Sequence, residues 1–166
     1  MSRSVAIVAS GQTDLRPGRD DVQHIELISE AVRAAFAGSP LTIADVEFVI
    51  NSGSDVLDGR SISNCGFLGA MGAHHKEESR VEEDGLWAAW YAWQKILAGQ
   101  ADVGIVLAYS KSSESSLEAA YATQSEPFYQ RPVGVNSLVA AGLQANQYLQ
   151  QWQCSRDVLA QIKTRG

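Results

Sequence analysis

Residues 96–107, Ile-Leu-Ala-Gly-Gln-Ala-Asp-Val-Gly-Ile-Val-Leu, contain the transition that decides the fold. The first three residues end an apolar helical pattern that begins near Glu83, and Gly99 stops it because glycine readily adopts the conformation that ends a helix. Val103–Leu107 then form a short, continuous apolar run, which is typical of a strand buried on both faces. A helix followed at once by a buried strand predicts an α/β fold.

The rest of the chain repeats this alternation. Two more apolar runs, Val5–Ala9 and Val46–Ile50, are predicted strands, and the polar stretch His74–Val81 is assigned to a strand by default. Amphipathic spacing predicts helices over residues 24–37, 83–98 and 137–152, another helix that starts at residue 156, and a short one within 64–72. Alternating strands and helices favour right-handed crossovers, and therefore a mixed, mainly parallel sheet with helices on both faces.

The amino-acid composition changes near residue 110. Residues 1–110 carry the predicted α/β core. Residues 111–166 are rich in Ser, Glu and Ala at first and then become helical, so we predict an excursion from the sheet. The last amphipathic pattern, which begins at Arg156, needs further chain to pack against.

Charge and composition exclude several classes of function. The formal net charge is −6 and no Lys/Arg cluster occurs, which argues against nucleic acid and anionic membrane surfaces as partners. No apolar run reaches the roughly 20 residues that span a bilayer, and the first residues lack the pattern of a signal peptide. Two cysteines, Cys65 and Cys154, do not suggest a disulfide framework. We therefore expect a cytoplasmic protein.

Three stretches occur in a characteristic order. They are Val-Ala-Ile-Val-Ala-Ser-Gly-Gln-Thr at residues 5–13, residues 28–35 followed by 41–46, and residues 96–107. Together they resemble the N-terminal half of the thiolase superfamily, especially its sterol-carrier-protein and lipid-transfer-type branch. For the fold, the resemblance implies a thiolase-like half with the start of a helical loop domain, in a dimer of five-layered αβαβα bodies. For the function, it implies CoA thioester substrates and acetyl-CoA acetyltransferase-like chemistry in lipid metabolism, without a cofactor.

The family's nucleophilic cysteine lies at the start of the buried helix that follows the third strand, where the helix dipole and free N–H groups stabilise a thiolate. The matching position in this chain is at or beside Glu83, in Glu82-Glu83-Asp84, and no cysteine is present there. Two interpretations stay open. The carboxylates cap the helix and favour its dipole, or Glu83 or Asp84 acts as a general base.

Other candidate sites depend on weaker patterns. By the same resemblance, Phe128 and Tyr129 either line an acyl or pantetheine channel or anchor the loop that carries them. Cys65 is the alternative thiol, although a free cysteine is often a small buried hydrophobic residue. His74 and His75 would point to opposite faces of a strand and have no third ligand at a recognisable spacing, so no metal site is expected.

The sequence therefore predicts a component of a thiolase-like acyl-CoA acyltransferase that is not competent alone, since the cysteine and the family's second half are missing. The alternatives are a non-catalytic subunit or binding module, a cysteine-free C–C lyase (aldolase) of the same family, and a fragment of a longer enzyme. Because a parallel sheet must be covered on both faces, we expect a homodimer or a complementary accessory subunit.

Overall fold

The computed structural model describes residues 3–58 and 66–165. It divides into two compact units, Met1–Ser115 and Ser116–Gly166.

The first unit is an α/β unit with a small parallel sheet. Its elements in chain order are α1 (His24–Ala37), β1 (Phe48–Gly53), α2 (Asp55–Asp58), β2 (Glu77–Glu82), α3 (Gly85–Leu97) and β3 (Gly104–Ala108), with single turns of 3-10 helix at Ile43–Asp45 and Ser112–Glu114. In the described residues the sheet has three strands in the order β2-β1-β3, and both pairings are parallel. The predicted α/β class is confirmed, and the strand assigned by default within His74–Val81 is present as β2.

Strand β1 lies at the centre and is buried along its whole length. Successive side chains of a strand point to opposite faces of the sheet. Phe48 and Ile50 accordingly pack in one cluster with Ala88 of α3. Val49 packs in a second cluster with Ile28 of α1. Helices therefore cover both faces of the central strand, as predicted.

The predicted first strand, Val5–Ala9, is wrong: these residues form no strand. A strand requires a partner edge at hydrogen-bonding distance, and this segment makes no backbone hydrogen bond to the described residues. Ile7 within it is 90% exposed. The predicted short helix within 64–72 is not present over residues 67–72, which form turns.

Helix α3 buries less than its apolar composition suggests. Apolar residues occur round most of the helix, but only Ala88, Ala92 and Lys95 are buried. Trp87 is 60% exposed and Trp90 is 50% exposed. The face of α3 toward the sheet is made of alanines, so its large aromatic side chains point away from the core of this chain.

The second unit is helical. It contains α4 (Leu117–Thr123), a 3-10 turn at Arg131–Val133, α5 (Ser137–Trp152) and α6 (Arg156–Arg165). Asn136 is the N-cap of α5, where its side chain accepts a hydrogen bond from the Val139 N–H at 3.0 Å. No residue of α4, α5 or α6 is buried.

Candidate functional site

The candidate site lies at the edge of the sheet where the three parallel strands end. Open α/β sheets bind their ligands outside the carboxyl ends of the strands. Glu83 and Asp84, the residues predicted from the sequence, form the two-residue connection between β2 and α3. The structure therefore places both at this edge.

Asp84 is engaged by the helix. It is the N-cap residue of α3, and its carboxylate accepts a hydrogen bond from the Leu86 N–H at 2.8 Å. This bond satisfies one of the free N–H groups at the helix start and places a negative charge at the positive end of the dipole. The geometry therefore accounts for Asp84 without a catalytic role.

Glu83 has an unusual backbone. Its φ is +65°, in the left-handed region that costs a residue other than glycine about 1–2 kcal/mol. The conformation is fixed by a hydrogen bond of 2.9 Å from the Glu83 N–H to the Gly53 carbonyl at the end of β1. The side chain is exposed, and no hydrogen bond joins its carboxylate to the described residues. A strained strand-to-helix turn that exposes one side chain is also the geometry of a nucleophile elbow.

Arg80, which the sequence did not single out, organises the rest of the edge. Its Nη2 lies 2.8 Å from Asp55 Oδ1 and donates to the Gly53 carbonyl at 3.0 Å, and its Nη1 donates to Asn51 Oδ1 at 3.1 Å. The Asp55 N–H in turn donates to Glu82 Oε1 at 2.9 Å. The network ties the ends of β1 and β2 together.

This network contains one unsatisfied group. Arg80 Nε is buried and has no hydrogen-bond partner among the described residues. Such a group costs stability. Only one feature of the sequence points to Arg80: it is the single basic residue in the otherwise acidic and neutral strand Glu77–Glu82.

Gly85 allows α3 to begin close to the sheet. A Cβ atom at this position would lie 2.6 Å from Ala108 Cβ and 3.5 Å from Ser52 Oγ. These contacts leave no space for a side chain. The start of α3 therefore lies directly against the ends of β1 and β3.

An aromatic cluster lies beside this edge. The His24 ring contacts Phe67 at 5.2 Å between centroids, and Tyr109, which follows β3, lies 4.8 Å from Phe67 and 6.1 Å from His24. His24, the first residue of α1, is therefore half-buried against two rings that come from distant parts of the sequence.

Phe128 and Tyr129 belong to the second unit, and their side chains are 79% and 82% exposed. Their N–H groups donate to the two carboxylate oxygens of Glu126, at 3.0 Å and 2.6 Å. The hydrogen bond from Phe128, followed by that from Tyr129, lowers the pKa of the Glu126 carboxyl. The loop is held by its backbone, which leaves both rings available to solvent.

The remaining candidates give no further site. Among the residues that the structure describes, no group of three or more His, Cys, Asp or Glu side chains is placed to hold a metal ion. His74 and His75 are both exposed, and Cys65 lies outside the described residues. Within residues 3–58 and 66–165, every helix is too short or too polar to cross a bilayer.

Comparison with protein families and with curated proteins found no relative of this chain. No protein-family model matches the chain, and no curated protein matches its sequence.

Proposed function

We propose that this chain is a component of a thiolase-like acyl-CoA acyltransferase, acts on CoA thioesters, and does not complete the reaction alone. The turn at Glu83 carries the proposal. It lies where the resemblance places the family nucleophile, it joins a parallel strand to a helix, and its φ of +65° presents an exposed side chain at the carboxyl edge of the sheet.

The chemistry of the turn explains why the chain needs a partner. Acyl transfer by this family uses a thiolate, and residues 82–84 supply carboxylates instead. Attack by a carboxylate would form a mixed anhydride, and three negative groups oppose a thiolate nearby. In the proposed system the nucleophile and the acid/base groups come from another subunit. Glu83 then acts on a substrate proton or holds the substrate in position.

A cysteine-free C–C lyase is the second candidate, and the free carboxylate of Glu83 favours it. As a base, Glu83 would take the hydroxyl proton of a 3-hydroxyacyl thioester. The carbonyl of the leaving fragment then forms as the C–C bond breaks, and the bonding electron pair passes to the thioester enolate, which takes up a proton. This reaction needs neither a thiol nor a second acyl acceptor.

A non-catalytic subunit or binding module is the third candidate. It is favoured because Asp84 is engaged in capping and Arg80 is enclosed by its partners. Neither side chain is then free to contribute to chemistry. In this role the chain would bind a CoA thioester or support an active subunit.

The exposed surface of α3 favours assembly with a partner. Leu86, Trp87 and Trp90 are 78%, 60% and 50% exposed, and large apolar side chains in such numbers commonly mark an interface. We propose a homodimer or a complementary thiolase-like subunit. Size-exclusion chromatography with light scattering would contradict the homodimer if the purified chain ran as a monomer at micromolar concentration.

The test of function combines binding with turnover. We expect the purified chain to bind acetoacetyl-CoA in a calorimetric titration, to show little thiolysis with CoA, and to lose affinity in Glu83→Gln but not in the exposed control Glu118→Gln. Cleavage of a 3-hydroxyacyl-CoA that disappears with Glu83→Gln would select the lyase. Binding without turnover that is equal in all variants would select the binding module.

Two outcomes would overturn the proposal. Absence of CoA thioester binding would exclude the acyltransferase component and the lyase, and would leave only a chain that supports an active subunit. Thiolysis that survives Glu83→Gln and disappears with Cys65→Ser would move the site away from the β2–α3 turn.

A further inference from the structure

Glu83 lies at the centre of a tight turn. The Asp84 N–H donates to the Glu82 carbonyl at 2.9 Å, and this bond closes a three-residue turn around Glu83. With a central φ of +65°, this is the rare and strained form of the γ-turn. A strained backbone persists only where the surrounding structure holds it. The contacts beside the turn therefore decide whether the Glu83 side chain keeps its exposed position.

The Gly53 carbonyl is a contact that the turn shares with Arg80. It accepts from the Glu83 N–H at 2.9 Å and from Arg80 Nη2 at 3.0 Å. A carbonyl oxygen has two lone pairs, so it can accept both bonds together. Gly53 itself is enclosed, because a Cβ atom there would lie 2.9 Å from the Tyr109 carbonyl oxygen and 3.6 Å from Arg80 Nη2. The guanidinium therefore fixes the group to which the backbone of Glu83 is bonded.

The acidic residues on either side of Glu83 are engaged elsewhere. Glu82 Oε1 accepts from the Asp55 N–H at 2.9 Å, and Glu82 Oε2 lies 3.6 Å from Arg80 Nη2. Asp84 caps α3. Arg80 therefore acts on both neighbours of the turn, because it fixes the carbonyl before it in space and pairs with the carboxylate before it in sequence.

We propose that Arg80 is a positioning residue for Glu83. In this role it acts through the Gly53 carbonyl and makes no contact with substrate. Without the guanidinium, the carbonyl is free to turn, and Glu83 relaxes toward a negative φ that redirects its side chain. The effect on the turn follows from the geometry alone, whereas the effect on CoA thioester binding rests on the proposed function.

The test compares two amides at the same edge of the sheet in the full chain. The Glu83 N–H is bonded beside Arg80, whereas the Tyr109 N–H donates to Ser52 O on the other side of β1 at 2.9 Å. In Arg80→Lys, which lacks the planar fork that reaches several acceptors, amide hydrogen exchange at Glu83 should accelerate about tenfold relative to Tyr109. A general loss of stability would accelerate both amides equally, and that result would overturn the proposal.

A second NMR signal reports the backbone of Glu83 directly. A positive φ brings the N–H and the Hα of one residue close together, so their NOE is strong in the parent chain. We expect this NOE to weaken in Arg80→Lys and to persist in Arg33→Lys, an exposed control on α1. An unchanged NOE in Arg80→Lys would contradict the positioning role.

Binding of acetoacetyl-CoA separates this role from the proposed function. Arg80→Lys should weaken binding about tenfold, while Arg33→Lys should leave it unchanged. If the parent chain binds no thioester, the proposed function fails and the NMR comparison still decides the role of Arg80. If the parent and Arg80→Lys bind equally well, with Glu83 unchanged by NMR, the positioning role fails and the proposed function stands.

A milder variant covers the case in which Arg80→Lys does not fold. Asp55→Asn retains the guanidinium but removes the charge that lies 2.8 Å from Arg80 Nη2 and orients it. Exchange at Glu83 should again accelerate relative to Tyr109, by a smaller factor. Equal exchange at the two amides in this variant would overturn the proposal.

Discussion

Arg80 Nη2 lies 2.8 Å from Asp55 Oδ1, and this ion pair joins β2 to the helical turn that follows β1. The side chains are only 16% and 32% exposed. The same guanidinium also donates to Gly53 O and Asn51 Oδ1, so one side chain satisfies three acceptors at the carboxyl edge of the sheet.

We expect Arg80→Met to reduce the free energy of unfolding by about 2–3 kcal/mol, because it removes a largely buried guanidinium that pairs with Asp55 and donates to the Gly53 and Asn51 oxygens. Urea unfolding followed by tryptophan fluorescence measures the change. The control is Arg16→Met, which removes a pair with Asp14 whose side chains are 54% and 72% exposed, and it should change little. Equal losses in the two variants would contradict the network.

Replacing Asp84 tests its part in capping. Asp84→Ala should destabilise the chain by about 1 kcal/mol, the usual cost of a lost N-cap. Asp84→Asn retains a side-chain oxygen that can accept from the Leu86 N–H, and it should remain close to the parent chain. If the two variants are equally stable in thermal unfolding, the hydrogen bond to Leu86 is not a significant stabilising contact.

The backbone of Glu83 predicts a stabilising mutation at the candidate site. Glu83→Gly should raise the free energy of unfolding by up to about 1 kcal/mol, because glycine adopts a φ near +65° without steric cost. The same change at Glu82, the last residue of β2, should destabilise the chain. If the proposed function is correct, Glu83→Gly also weakens CoA thioester binding. The free energy of unfolding should then rise while the affinity for the thioester falls.

Gly104 provides a test of packing beneath α3. A Cβ atom there would lie 2.1 Å from the tip of the Phe48 ring, which is 1% exposed and has no space to move away. Gly104→Ala should therefore cost about 1–3 kcal/mol through overpacking. Gly38→Ala is the matched control, since nothing lies within 4 Å of its added Cβ atom. Chemical denaturation of both variants makes the comparison.

The loop that carries Phe128 and Tyr129 should respond to acid. Hydrogen bonds from the two N–H groups hold the pKa of Glu126 below its usual 4.5. For a lowered folded pKa, the stabilisation is present above pH 4.5 and is lost as the pH falls through the folded value. NMR should show the Phe128 and Tyr129 amide shifts changing with a midpoint below 4.5, and Glu126→Gln should remove that transition. A midpoint at or above 4.5 would contradict the contact.

Local sequence patterns were sufficient for several elements. The predicted bounds of α1 and α5, residues 24–37 and 137–152, are those of the structure, because amphipathic spacing and strong end signals coincide there. The start of α3 near Glu83 was located from its apolar helical pattern and from the family resemblance. The geometry of the turn before it was not, since the φ of Glu83 depends on a hydrogen bond to Gly53, thirty residues earlier.

Contacts between distant segments account for the errors. Val5–Ala9 has the composition of a strand, but composition does not show whether a neighbouring edge is in reach. The apolar pattern of α3 does not show which side the sheet covers, and Trp87 and Trp90 lie on the exposed side. Arg80 makes its hydrogen bonds only because folding brings β1 beside β2. His24 makes its ring contacts only because folding brings Phe67 and Tyr109 beside α1.

The two edges of the sheet differ in a way that limits how it can grow. Strand β2 carries Glu77, Glu78, Arg80 and Glu82, and charged edge strands resist pairing with other chains. At the opposite edge, the strand β3, Gly-Ile-Val-Leu-Ala, carries no charged side chain and pairs only with β1 among the described strands. Charge therefore opposes extension of the sheet beside β2, whereas no charge opposes it beside β3.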